Sequence, residues 1–145
     1  MAARRVRRAD ADDGARLAGL MSAFLDLDTA GLATHGHSVD AVLASENHIV
    51  FVATNDDELV GFVTASYRRV AREPHLICEI DELYVSPEER RDGIASRLVE
   101  AVAEEARNRR CARLYVASNN KRRDGHAFYE RVGFDPYGGH FRIKL

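Results

Sequence analysis

The stretch Leu83-Tyr84-Val85-Ser86-Pro87-Glu88-Glu89-Arg90-Arg91-Asp92-Gly93-Ile94-Ala95-Ser96 decides the fold. A β-rich run ends at Val85, Ser86-Pro87 stops it, and Gly93 opens an amphipathic helix. The apolar residues of that helix fall at Ile94, Leu98, Val99, Val102 and Ala106. A strand that passes through a short loop into a helix presents unpaired N–H groups at the helix start, which with the helix dipole form an anion site. Gly93 and Ala95 lack the bulk that would hold a phosphate off the backbone, and Arg90 and Arg91 add positive charge. The lysine and hydroxyl residue of a P-loop are missing, and so is Gly-x-Gly-x-x-Gly. A P-loop nucleotidase and a Rossmann dinucleotide site are both disfavoured.

On the N-terminal side, Arg4 to Ala9 alternates around Val6 as a short strand, and Asp10, Asp12 or Asp13 can cap the helix carrying Leu17, Leu20, Met21, Phe24 and Leu25. Thr29 to Ser38, with Gly31, His35, Gly36 and His37, reads as a loop, and Val39 to Ser45 as a short second helix. Ile49–Ala53 and Leu59–Tyr67 are strands joined through Asn55-Asp56-Asp57, and His75 to Val85 is a long strand. On the C-terminal side come a strand at Leu114–Ala117, a helix from Arg123 to Val132 ended by Gly133, and an expected hairpin over Phe134–Leu145 turned at Gly138-Gly139. The order β-α-α-β-β-β-α-β-α-β-β predicts an α/β (α+β) domain, a mixed, mostly antiparallel sheet with helices on both faces.

A length of 145 residues suits one domain, 1–145, with one core. A formal net charge of -2 offers no electrostatic case for nucleic acid or an anionic membrane as partner. The arginine-rich start lacks an apolar core segment and does not read as a signal peptide, and no apolar stretch has membrane-spanning length. Cys78 and Cys111 sit in apolar strand-like runs, too few for a disulfide framework, so reduced thiols and a cytoplasmic location are expected.

Arg90-x-x-Gly93-x-Ala95 after a Leu-Tyr-Val-Ser-Pro strand resembles the pyrophosphate motif of GNAT acyltransferases, with Ala95 where the family commonly has glycine. Ala127-Phe128-Tyr129-Glu130-Arg131-Val132-Gly133-Phe134 is similar to the family's later helix-to-strand signature, at the expected distance. The resemblance spans nearly the whole chain. It implies a GNAT-type fold and acetyl-CoA as cosubstrate, with no metal. It further implies that the main chain of Leu83 and Val85 binds pantetheine beside a strand bulge. Arg90, Arg91, Asp92, Gly93, Ile94, Ala95 and Ser96 would hold the pyrophosphate, and Asn119 would contact the cofactor; Arg122 stands where one form of the later motif has that asparagine.

Direct acetyl transfer needs a neutral amine, a polarised carbonyl and an acid near the leaving sulfur. A lysine-like amine has a pKa of about 10.4 and is protonated at neutral pH, so a general base is useful. The run Glu79-Ile80-Asp81-Glu82 supplies candidates. With a period of two, Glu79 and Asp81 share one face and Glu82 the other, a register that a bulge would shift. By resemblance, Glu79 stands at the base position of protein-lysine enzymes and Glu82 at an acidic position frequent in small-amine enzymes. Both could instead balance Arg68, Arg69 or Arg72. Tyr129 matches the family tyrosine that protonates the thiolate, and core packing beside Phe128 is its plainer role. The expected activity is acetyl transfer to a primary amine of a small molecule or peptide, with a homodimer as a further expectation from the family. A protein lysine or N-terminal acetyltransferase and a non-catalytic acyl-CoA-binding module are the alternatives.

Overall fold

In the computed structural model, Asp13 ties the first strand to the first helix. Residues 4–26, 29–117 and 123–145 are described, with the backbone only at 29, 30, 32–34, 123 and 124. Strand β1 (Arg4–Arg8) leads into a single 3-10 turn at Ala11–Asp13 and then helix α1 (Gly14–Leu25). The Asp10 side chain accepts from the Asp12 N–H, and Asp13 Oδ2 accepts from the Asp10 N–H at 2.9 Å. Asp13 is 1 % exposed and is held by both nitrogens of the Arg7 fork at 2.8 Å and by Arg16 at 2.9 Å. Arg7 is on β1 and Arg16 on α1, so one buried carboxylate sets the angle at which α1 leaves the sheet.

Five strands lie in the order β1-β2-β3-β4-β5, with β2 at His48–Asn55, β3 at Glu58–Arg68, β4 at Ile77–Val85 and β5 at Arg113–Val116. The β1–β2, β2–β3 and β3–β4 pairs are antiparallel. Leu17, Met21 and Val39 pack on Val50, Val52 and Phe62, which places α1 and α2 on one face of the sheet. Helix α3 (Ile94–Asn108) covers the other, since Leu98 stands against Gly61, the neighbour of Phe62 that points to the opposite side. Gly61 permits a close approach: a Cβ there would meet the Tyr84 carbonyl oxygen at 3.0 Å and Leu98 Cδ1 at 3.5 Å. The mixed, mostly antiparallel sheet with helices on both faces is as the element order predicts.

Two expectations need correction. The expected loop over Thr29–Ser38 is helical, and α2 runs unbroken through Thr29–Ala44. Gly31 and Gly36 each cost a helix about 1 kcal/mol relative to alanine, which tertiary burial of Val39, Val42 and Leu43 against the core offsets. Residues 134–145 form no hairpin, and Tyr137, Phe141 and Ile143 are exposed. Two compact units divide the chain, Met1–Tyr115 and Val116–Leu145. Among the described residues of the second, only Val116 has strand conformation, so the segment has no ladder partner within its unit. That unit is built on α4 (Arg123–Arg131), where Tyr129 lies edge-on to Phe128 and Phe134 at 5.2 and 5.7 Å between ring centroids.

Candidate active site

The register of β4 changes between Ile80 and Glu82. Thr64 faces Glu82 and Ala65 faces Ile80, which leaves Asp81 as an extra, unpaired residue. Thr64 and Ser66 are two apart and share a face, so their partners Glu82 and Glu79 share it too, although those are three apart on β4. The bulge therefore gathers Glu79 and Glu82 on the α1–α2 side, where strict alternation would separate them. Asp81 is exposed.

The two candidate bases have different surroundings. Glu79 Oε1 pairs with Arg68 Nη1 at 3.3 Å. Glu82 lines a cavity of about 330 Å³ with Leu17, Met21, Val39, Val42 and Thr64, and with Leu25, His35 and Ser38. Burial pushes the Glu82 carboxyl above its ordinary range, Asp81 adds to that rise, and the bond from Thr64 opposes it. Among the described residues, Oε2 of Glu82 has no hydrogen bond, while Oε1 accepts from Thr64 Oγ1. A half-buried carboxylate with one oxygen open to an apolar cavity can bind an ammonium and take up its proton.

Sequence reasoning passed over Thr64; it assigned acceptor specificity to the segment 25–46, which holds His35 and Ser38, without singling out either residue. Thr64 had a signal, a lone hydroxyl inside the apolar run Val60-Gly61-Phe62-Val63-Thr64-Ala65. His35 and Ser38 had none once their segment was read as a loop. The His35 Nδ1–H donates to the Gly31 carbonyl at 2.8 Å, which leaves Nε2 as the unbonded ring nitrogen among the described residues.

The far edge of β4 opens towards the expected cofactor. Ser86 N–H donates to the Val60 carbonyl at 2.8 Å, making Val60 and Ser86 a hydrogen-bonded pair. By alternation, the main-chain groups of Leu83 and Val85 point away from β3. Strand β5 has four residues against nine in β4, and it starts level with Leu76, where Ala112 N–H donates to the Leu76 carbonyl at 2.9 Å. Among the described strands, nothing pairs with Leu83 and Val85 on that side. One of these groups is engaged, since the Val85 carbonyl accepts from Arg90 Nε at 2.8 Å.

Beyond β4, a 3-10 turn at Pro87–Glu89 leads to α3. Gly93, with φ 76°, caps α3 without a side-chain bond to the first-turn amides. The first helical bond runs from Arg97 N–H to the Gly93 carbonyl at 3.1 Å, so the amides of Ile94, Ala95 and Ser96 precede the helical ladder. A Cβ built on Gly93 would meet nothing within 4 Å. Uncapped amides, an open approach and a left-handed glycine together fit a phosphate group. The loop is pinned from below: Arg4 bonds Glu89 at 2.7 Å and Asp92 at 3.3 Å, and Asn55 Nδ2 donates to Glu89 at 2.9 Å. Arg91 is exposed with φ 74°, and Arg90 lies over the Tyr84 ring at 5.6 Å. Tyr129 belongs to the second unit and is described there; Asn119 lies outside the described residues. No cluster of metal-binding side chains occurs among the described residues.

Comparison with known proteins agrees with this architecture. Residues 16–134 match the Acetyltransferase (GNAT) family. The aminoalkylphosphonate N-acetyltransferase of Salmonella typhimurium is 35 % identical over 92 residues, 63 % of this chain and 58 % of that protein, so the chain spans little more than half of that relative's length. An aminoglycoside N-acetyltransferase, AAC(6')-Iy, solved with CoA, superposes with a TM-score of 0.88 at 17 % identity, covering 100 % of this chain and 96 % of that one. A ribosomal-protein-alanine N-acetyltransferase from Brucella melitensis superposes at 0.82 with 20 % identity, covering 99 % and 100 %. At such identities the two structures speak to the fold.

Proposed function

The chain belongs to the GNAT acetyltransferase family, and on that premise we propose that it transfers an acetyl group from acetyl-CoA directly to the primary amine of a small molecule. The observation that carries this reading is the cavity at Glu82, in the same unit as the uncapped start of α3. Acetyl-CoA would supply an activated acetyl thioester. The amides of Ile94, Ala95 and Ser96, with Gly93 giving them room, would hold its pyrophosphate, and the outward main-chain groups of Leu83 and Val85 its pantetheine arm. Arg90 and Arg91 add positive charge to the loop, while Asp92 is turned to Arg4.

Glu82 carries the proton step. Its open Oε2 binds the incoming ammonium and takes its proton, and Thr64 keeps the other oxygen fixed. Glu79 is paired with Arg68 and adds a charge on the same face of β4. Tyr129 donates the proton that the leaving sulfur requires. The name of the Salmonella typhimurium relative, an aminoalkylphosphonate enzyme, supports a small amine over a folded protein. A cytoplasmic setting with both thiols reduced is part of the same proposal. The test is a screen for CoA thiol release from acetyl-CoA across polyamines, aminoglycosides, amino acids, simple amines and peptides. Turnover with small amines and none with peptides is expected. Transfer to peptides alone would overturn the small-molecule assignment.

A further inference from the structure

We infer that the acceptor is a primary amine on an apolar body of roughly ten non-hydrogen atoms, its ammonium at Glu82 and its body against Leu17, Met21, Val39 and Val42. The inference rests on the acetyl-transfer reading and deepens it by naming the substrate class. Three observations carry it. The cavity encloses about 330 Å³, which at about 30 Å³ per water-sized group admits roughly ten such groups. Its lining is mostly aliphatic: Leu25 at 42 % exposed and half-buried Val42 offer surface to a ligand, backed by the buried Leu17, Val39 and Met21. Among the described residues that line it, Glu82 is the one acid and there is no arginine or lysine.

These features select by charge and by solvation. An ammonium finds a countercharge at Glu82, and a hydrocarbon chain finds a surface from which it displaces water. A phosphonate would be buried without a cation, a large cost in an apolar surround. A polyhydroxylated sugar would find few partners for its many hydroxyls: Thr64 is bonded to Glu82 and His35 Nδ1 to Gly31, which leaves the Ser38 hydroxyl and His35 Nε2 among the described lining residues.

Calorimetry on the full chain, with and without CoA, tests this using butylamine, hexylamine, phenethylamine, aminoethylphosphonate and kanamycin as probes. Affinity should rise roughly fourfold for each methylene between butylamine and hexylamine, as expected for burial of a CH₂ group. Phenethylamine should bind at least about tenfold more tightly than aminoethylphosphonate or kanamycin. Leu25→Lys supplies a second arm, because Leu25 lines the cavity yet is 42 % exposed and ends α1, so the variant should fold. It should weaken phenethylamine and strengthen aminoethylphosphonate while leaving CoA affinity unchanged. Equal affinity along the alkyl series, or tighter binding of aminoethylphosphonate or kanamycin by the parent chain, overturns the inference. Failure of CoA to bind would instead overturn the acetyl-transfer reading, and the amine series would still decide the acceptor class.

Discussion

Thr64 and Glu82 are bonded twice across the β3–β4 ladder: Thr64 Oγ1 donates to Glu82 Oε1 and accepts from the Glu82 main-chain N–H at 3.1 Å. Thr64 is 4 % exposed, so its hydroxyl has little access to water. The pair fixes one carboxylate oxygen and aims the other into the cavity. Burial raises the Glu82 pKa and the Thr64 bond restrains the rise.

Thr64→Val should therefore push the Glu82 pKa higher. With a small amine as substrate, the acidic limb of the kcat/KM profile should move to higher pH, because the base ionises later. An unmoved limb would show that Glu82 is not the group titrating in that profile.

Glu82→Gln should lower kcat/KM by roughly 10²–10⁴-fold at neutral pH, the usual worth of a positioned base. The loss should shrink as pH rises and free amine becomes abundant. Stability gives an independent reading. A carboxylic acid whose folded pKa is raised destabilises the fold once ionised, so Glu82→Gln should be more stable than the parent above that raised value. The gain should vanish as pH falls below the ordinary glutamate range, where both states hold the proton. Thermal melts across pH check the sign.

Asp13 supplies the opposite case. The Arg7 side-chain bond holds its carboxyl down at about 2, with help from the Asp10 N–H and the Arg16 charge. Its contribution is complete above the ordinary aspartate range and is lost as pH falls towards about 2. Asp13→Ala leaves Arg7 and Arg16 without their shared partner, but both are exposed enough for water to take up their charge, so the cost in urea unfolding should be about 1–3 kcal/mol. Because Asp13 positions α1, cavity binding should weaken alongside.

Tyr129→Phe keeps the ring against Phe128 and Phe134 and removes one oxygen. Turnover should drop by roughly 10²–10⁴-fold with CoA affinity little changed. Unchanged turnover, with chemistry shown to limit the rate, would make Tyr129 a packing residue.

Much of this was legible in the residues. The β4–loop–α3 passage carries its own punctuation, Ser86-Pro87 as a stop and Gly93 as a start, and α3 follows a clean helical period. Alternation alone puts Glu79 and Glu82 on opposite faces; the extra residue at Asp81 brings them to the same one, and a bulge leaves no mark in a run of acids. Helix α2 was hidden for another reason. Gly31, His35, Gly36 and His37 weaken the local helix signal, and the packing of Val39, Val42 and Leu43 that rescues it is tertiary. The segment 25–46 was expected to set acceptor specificity, but which of its residues line the cavity, His35, Ser38, Val39 and Val42, depends on the helix.

The central claim is that the uncapped start of α3 holds the cofactor that Glu82 works beside. Gly93 is a poor place to test it, since a side chain at φ 76° would strain the backbone whatever became of binding. Ala95→Glu is cleaner: an acid in the first helical turn complements the dipole and should leave the melting temperature equal or slightly higher. Titration of acetyl-CoA into parent and variant, followed by calorimetry, is the direct measurement. Binding to the parent and at least about a hundredfold weaker binding to Ala95→Glu, with the fold intact, is the expected result for a carboxylate set against a phosphate at an apolar helix start. Equal affinity in the two proteins would contradict the account.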